Sequence, residues 1–363
     1  MRVAIVESDT PAPVIQEWDS RVYTISPASV RSLEQTGVWR RVDPSRTCPV
    51  HRMRIFGDDG KSAIGFSAYE SGMSELAHVA EFSRLQQASH QELNERDDVV
   101  RYCPDRPSRL TVSPSHAQLT LESGAAIRAR LVVGADGSNS WVRQTAGLPV
   151  EDVPYGQQGV VANFAAEHAH DNTAYQWFLP GGILAWLPLP GNRISMVWSA
   201  KDDHATVLLG LPRHEFEETV ANAGGRLLGQ LTCVTAPVAF PLHRLLAHRL
   251  VGARVALIGD AAHVVHPLAG QGINLGFADA VELSATLCGA GPGVDAGNPM
   301  LLRRYERARA EDILAMDWAT RGLNSLFGAR DGLIRVARNQ GLSLTDRLPV
   351  LKTLLTRYAV GKR

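Results

Sequence analysis

The residues best suited to chemistry in this 363-residue chain gather where an apolar run meets Gly-Asp. Val255, Ala256, Leu257 and Ile258 form the short continuous run expected of a buried parallel strand, and Gly259 permits a tight turn that presents Asp260 at the strand's carboxyl end. Ligands of open α/β sheets bind at that edge. A carboxylate at Asp260 can accept hydrogen bonds from a sugar-like polyol. Pro267 to Gly272 then leads into a helix whose free N–H groups and dipole favour negative charge. A reduced flavin, which carries such charge on its pyrimidine side, would suit both features.

The same pattern occurs twice more. Ala126 to Val133 reads as a strand leading into Gly134-Ala-Asp-Gly-Ser-Asn-Ser-Trp-Val-Arg143, which predicts a second nucleotide-facing turn at Asp136 and Gly137. Arg2 to Glu7 is a short apolar strand ending in an acid, the position from which a dinucleotide fold hydrogen-bonds a ribose. Around these strands the spacing predicts a helix over 26–39 with a Ser-Pro start, a hairpin over 54–66 about Asp58-Asp-Gly60, and a mostly helical stretch over 75–93. Strands are expected over 160–165, 175–179, 183–187 and 194–198, with turns at Pro180-Gly-Gly182 and Pro190-Gly-Asn192. The run 289–297 reads as a loop, and 301–319 and 331–360 as helices.

At 45% hydrophobic and 20% charged residues, the chain can build about two domains, each with its own core. Lys plus Arg equals Asp plus Glu at 37 each, so no excess positive charge recommends a nucleic acid. Only 301–363 departs from balance, with 13 basic and 6 acidic residues. Cys48, Cys103, Cys233 and Cys288 stand far apart and suggest neither zinc nor a disulfide framework. No run is long and apolar enough to span a bilayer, and the opening residues lack a secretory pattern. The expected location is cytoplasmic, with peripheral contact to the inner face of the membrane left open. Its basis is the stripe Leu351, Leu354, Leu355 and Tyr358 with Lys352, Arg357, Lys362 and Arg363 nearby, for which packing onto the chain's own body is the competing reading.

Taken together, these motifs resemble the FAD-dependent aromatic-ring hydroxylases, specifically the monooxygenases of ubiquinone biosynthesis. Asp136-Gly-Ser-Asn-Ser140 with Arg143 is similar to that family's DG motif, implicated in FAD and NAD(P)H binding. Gly259-Asp-Ala-Ala-His263 with His266-Pro-Leu-Ala-Gly-Gln-Gly-Ile-Asn274 is similar to its second FAD motif, and Gly182-Ile-Leu-Ala-Trp-Leu-Pro188 to a strand of its substrate domain. The resemblance makes Asp260 the ribityl contact and places Pro267, Gly270, Gln271, Gly272 and Asn274 around the isoalloxazine ring. It makes Glu7 the holder of the adenosine ribose, sets Arg21 beside the flavin, and leaves Arg143 supporting the DG turn.

The fold class implied is α/β. It comprises a Rossmann-like FAD/NAD(P)-binding domain, incomplete at its N-terminus, over 1–50, 73–155 and 236–298. A mixed β-sheet substrate domain covers 51–72 and 156–235, and a C-terminal helical region 299–363. The implied chemistry belongs to the cofactor, with no catalytic side chain assigned. NAD(P)H reduces FAD, O2 adds at flavin C4a, and the hydroperoxide delivers one oxygen atom to a polyprenylated phenol. A ubiquinone-synthesis assembly is a further implied partner.

One departure stands out. Family members begin with a strand, a G-x-G-x-x-G turn and a helix, whereas this sequence opens at the strand that follows them. Open sheet edges and weakened FAD binding are the expected consequences. A start upstream of Met1 and a true truncation both remain open. Two alternatives stay beside the main reading: a hydroxylase of another aromatic compound, and a flavin-free scaffold. His263 with His266, and Glu167-His-Ala-His-Asp171, lack a complete metal ligand set, and capping or packing is expected of them. Trp177, Trp186 and Trp198 are expected in the core in preference to a substrate pocket.

Overall fold

A computed structural model describes residues 2–11, 16–59, 62–266, 272–291 and 293–328, the side chains of 323–328 excepted. Most of the run from Pro267 that is expected to lead into a helix, namely 267–271, together with the helix expected over 331–360 and its apolar stripe, lies outside the described residues. The helices are α1 (Pro27–Gln35), α2 (Phe82–Asn94), α3 (Trp141–Thr145), α4 (Asp202–Gly210), α5 (Arg213–Ala223), α6 (Gly272–Cys288) and α7 (Pro299–Gly328). The Ser-Pro signal marks the start of α1, where Ser26 caps the helix by accepting from the Ser29 amide at 3.2 Å and Pro27 occupies the first turn.

Among the described residues the largest sheet has nine strands. Its path runs His263–Val264, Val238–Ala247, Val150–Ala166, Arg193–Lys201, Gly182–Leu189, Thr173–Leu179, Arg52–Phe56 and Ala63–Ser67, and Leu231–Cys233 also pairs with Val150–Ala166. Only Thr173–Leu179 and Arg52–Phe56 pair in parallel here, so the sheet is mixed. Gly181 and Gly191, at φ 91° and 70°, form the two turns read from the sequence.

Trp177, Trp186 and Trp198 pack with Phe164, Leu208 of α4, and Phe216 and Val220 of α5, so all three belong to the core. Each large side chain so buried contributes roughly 1.5–3 kcal/mol. The opposite side of the sheet supports a second cluster, in which Ala174 and Leu189 meet Val50, Ala77 and Val79 of a three-stranded sheet formed by Val22–Ile25, Ala77–Glu81 and Thr47–Val50. Cover on both faces explains why 160–164 is buried without alternation.

One local expectation holds in the main and another fails. The stretch 75–93 is mostly helical through α2, which begins at Phe82, but Ala77–Glu81 ahead of it is a strand that pairs on both sides. Helix-favouring Ala and Glu lose there to a doubly paired, buried position. The strand over 126–133 is two strands. Ala126–Ala129 joins a hairpin, while Val132–Gly134 joins a different sheet. Between them the Arg130 carbonyl accepts from Arg254 Nη1 at 2.8 Å.

The nucleotide-type strands occupy two small parallel pairs. Val3–Val6 pairs with Val99–Tyr102, and Val132–Gly134 pairs with Val255–Leu257, which also carries Val251–Gly252. Among the described residues each pair keeps an open edge, with Val3 43% and Val133 38% exposed. An apolar groove of about 390 Å³ beside the first pair is lined by Val3, Ile5, Val38 and Val99.

Candidate functional site

Both carboxylate-bearing bends, Asp136-Gly137 and Gly259-Asp260, leave the same end of one parallel pair. Val132–Gly134 runs alongside Val255–Leu257, and Ile258 donates its amide to the Gly134 carbonyl at 3.0 Å. A Cβ on Gly134 would come within 2.9 Å of Leu257 and 3.0 Å of Val142, so a side chain there would push α3 off the sheet. Arg143, 4% exposed, reaches from α3 to both bends: Nη1 donates to the Ala261 carbonyl at 2.8 Å and Nη2 to the Ser138 carbonyl at 2.7 Å. It is a structural tie between the two turns.

The two carboxylates are used differently. Asp136 accepts from Ser140 Oγ and from the Val142 amide at 3.0 Å, and Ser140 Oγ in turn caps α3 by accepting from the Arg143 amide at 2.9 Å. Its lone pairs serve the turn. Gly137 follows at φ 78°, with nothing within 4 Å of where a Cβ would stand. Asp260 accepts no hydrogen bond among the described residues and is open to solvent, yet protein surrounds it closely enough that burial pushes its pKa up, partly offset by His263 and His243. An exposed carboxylate that no described residue engages is free to accept from a polar ligand.

What holds the second bend is a buried charge network that sequence reasoning missed. The Gly259 amide donates to Asp279 Oδ2 at 2.9 Å, and His263 Nε2 meets the same oxygen at 2.6 Å. Arg309 Nε donates to the other oxygen at 2.7 Å and its Nη1 to Asp312 at 2.8 Å. Burial alone would raise the Asp279 pKa, but His263 and Arg309 outweigh it and hold the group below the usual carboxylate range. Gly276 lets α6 approach, since its Cβ would stand 3.3 Å from the Gly259 Cα. An acid inside the largely apolar run 272–288, which holds only Asp279 and Glu282, was the available signal.

The remaining site residues fall into three groups. Arg21 lies open, its guanidinium 4.5 Å from the Phe82 ring centroid. Tyr23, whose phenol burial pushes up, feels both Arg21 and Asp260, which sets these three in one electrostatic neighbourhood. Asn274 acts as a clamp: Oδ1 accepts from the Ser26 amide and Ser29 Oγ, each at 2.8 Å, and Nδ2 donates to the Thr24 carbonyl at 2.8 Å. These bonds fix the start of α6 against the strand that follows Arg21. Gly272, the first residue of α6, has open space where a Cβ would stand. Glu7 sits at the carboxyl end of the other parallel pair, its carboxylate exposed and its amide bound to the Tyr102 carbonyl at 3.0 Å. Pro267, Gly270 and Gln271 lie outside the described residues.

The histidines are occupied structurally. His266 is fully buried, meets Gln157 Oε1 through Nε2 at 3.1 Å and packs edge-on against Tyr155; burial pushes its pKa down to about 4, keeping it neutral. His170 uses both ring nitrogens, on the Leu189 carbonyl and the Asn172 amide.

These residues fit FAD, whose polyol can meet the open Asp260 and whose bulk can enter the space beside Gly137 and Gly272. A parallel pair with one satisfied and one open bend, set beside a helix-covered mixed sheet, defines a two-part α/β nucleotide-binding flavoprotein. Comparison with known proteins agrees. The FAD binding domain family matches residues 2–316. A ubiquinone hydroxylase, UbiL of Rhodospirillum rubrum, is 34% identical over 361 residues, covering 99% of this chain and 84% of that protein. The 3-demethoxyubiquinol 3-hydroxylase of Escherichia coli is 34% identical over 362 residues, covering 99% and 92%. In fold, the chain is similar to Pseudomonas aeruginosa PqsL crystallised with 2-aminobenzoylacetate, at TM-score 0.77 and 23% identity, covering 94% and 93% of the two chains. The chain belongs to the FAD-dependent aromatic-ring hydroxylases, in the branch of the ubiquinone-biosynthesis monooxygenases.

Proposed function

We propose that this chain hydroxylates the aromatic ring of a polyprenylated phenol in ubiquinone biosynthesis, using FAD, NAD(P)H and O2. The observation that carries this reading is the open, unpaired Asp260, beside Arg21 and Tyr23, in a chain 34% identical to two ubiquinone-pathway hydroxylases. When bound, FAD supplies the redox and oxygen chemistry. The overall balance takes two electrons from NAD(P)H, places one oxygen atom on the ring and releases the other as water.

The chain's own residues bind and orient. Asp260 accepts from the ribityl hydroxyls, Arg21 lies beside the ring system, and Glu7 holds the adenosine ribose. By the family resemblance Pro267, Gly270, Gln271 and Gly272 are assigned to the isoalloxazine, and Asn274 fixes the start of α6. Asp136 and Gly137 shape the neighbouring wall, braced through Arg143. Residues 1–50, 73–155 and 236–298 form the cofactor domain, 51–72 and 156–235 the substrate domain, and 299–363 a helical region. Strand Val150–Ala166 runs across the boundary at 155/156, and Val238–Ala247, inside 236–298, pairs with it.

No described helix is long and apolar enough to cross a membrane. The reading keeps the enzyme in the cytoplasm, in peripheral contact with the inner face of the membrane where a prenylated substrate resides, and in contact with other enzymes of the pathway. The test is NAD(P)H oxidation and product mass with FAD present, comparing a prenylphenol with its unprenylated parent. Faster oxidation with a product one oxygen atom heavier is expected for the prenylphenol. Equal oxidation with and without it, and no oxygenated product, would refute the proposal.

A further inference from the structure

The outward face of α7 carries a pattern that the site does not use. The inward face is anchored by Leu302, Tyr305, Arg309, Ile313, Asp317 and Thr320, all buried. Tyr305 Oη donates to the Leu257 carbonyl at 2.8 Å, and Arg244 grips Asp317 through two bonds of 2.6 and 2.9 Å, so the helix lies fixed against the cofactor-side strands. On the other side stand Met300, Arg303, Arg304, Arg307, Leu314, Trp318 and Arg321, every one exposed. At 3.6 residues per turn these positions share an arc of about 100°, interrupted by one acid, Glu311.

Trp318 is 80% exposed, Met300 68% and Leu314 56%, an unusual outlay of large apolar side chains on water. Among the described residues, no carboxylate lies within ion-pair distance of Arg303, Arg304 or Arg307, and Arg321 has only Asp317 at 3.6 Å. From Met300 to Arg321 the stripe is about 30 Å long.

From this geometry we infer that the outer stripe of α7 docks the enzyme on an anionic lipid surface. A single convex helix offers no groove for a peptide, but it can lie flat on a plane. Trp and Leu then enter the interface while the arginines extend to negative headgroups. Four arginines against one glutamate give the charge complementarity, each basic side chain strengthening attraction to an anionic leaflet. The surface gains its purpose from the prenylated-substrate reading, although its evidence is independent of that reading.

The experiment is flotation of the full chain with vesicles of phosphatidylcholine, with and without phosphatidylglycerol, and without any prenylphenol. The wild type floats with the anionic vesicles and is released by salt. Leu314→Ser with Trp318→Ser, and Arg303→Gln with Arg304→Gln and Arg307→Gln, each weaken binding roughly tenfold or more while the melting temperature stays unchanged. Wild type that stays in solution, or variants that float as well as wild type, would overturn the inference. So would a lipid-free dimer that the Leu314/Trp318 variant dissociates, since the surface would then belong to a second copy. Hydroxylation of the prenylphenol in detergent is measured in parallel. If that persists while flotation fails, only the surface is wrong; if flotation persists while hydroxylation fails, only the substrate reading is wrong.

Discussion

Two bends with the same residues in opposite order, Asp136-Gly137 and Gly259-Asp260, stand side by side at the same end of one parallel pair and do opposite work. At the first, the carboxylate turns back into its own backbone, capping the start of α3. At the second, the turn is held from outside by Asp279, and the carboxylate is left without a partner among the described residues. A bend that satisfies itself locally can form a wall. A bend braced by a remote buried acid leaves its own carboxylate free for a ligand. The contrast separates a residue that builds a site from one that meets its contents.

The sharpest way to break this contrast is to remove the brace. Asp279 and Arg309 are 0% and 4% exposed in their side chains, so Asp279→Ala leaves a buried guanidinium without its main partner and frees the Gly259 amide. Urea unfolding should show a loss of about 3–5 kcal/mol, the usual cost of breaking a buried pair from one side. The same variant should lose FAD affinity although it leaves Asp260 in place. A loss under ~1 kcal/mol would mean that the second bend supports itself much as the first one does.

Exchanging the roles is the next test. Asp136→Ala removes a helix-cap acceptor and should lower stability by about 1 kcal/mol while changing FAD affinity only through that loosening. Asp260→Ala should cost the FAD-free chain no stability, and near neutral pH slightly raise it, while weakening FAD about tenfold or more, the loss of roughly one charged hydrogen-bond set. Thermal melts and FAD titrations of the two variants check the crossed pattern. Parallel losses in both would refute the division of labour.

How far the sequence disclosed this site follows from which of its contacts are local. The apolar run 255–258 and the glycine after it predict a buried strand and a bend, and both are present because strand and turn are decided within a few residues. Arg143 was readable as a support for its own turn, although its reach to Ala261, 118 positions away, was not. The different fates of Asp136 and Asp260 could not be read from the dipeptides. They depend on Ser140 in one case and on α6 and α7 in the other. Asn274 illustrates the same limit, since a residue of the flavin motif is engaged by Thr24, Ser26 and Ser29, about 250 positions earlier. The strand Ala77–Glu81, at the head of a stretch that is mostly helical as its spacing predicts, is hidden for a related reason: its composition favours helix, and only pairing on both sides decides against it. The helices α4 and α5, which close one face of the large sheet, gave no sequence reading at all.

The smallest effect offers the finest discrimination, because it changes sign. Burial raises the Asp260 pKa above its unfolded value, so in the FAD-free chain the ionised carboxylate opposes folding. Its contribution to stability is most favourable below the ordinary carboxylate range and is lost as pH rises through the raised value. Asp260→Asn removes that dependence. Without FAD, the variant should melt higher than wild type near neutral pH, with the difference shrinking as the pH falls to about 3. Adding FAD should invert the order, since only the carboxylate can accept from two hydroxyls at once without presenting a donor to them. An inversion would identify Asp260 as the polyol contact. A variant that stays the more stable with FAD present would place the ribityl chain elsewhere, and the two bends would then both be walls.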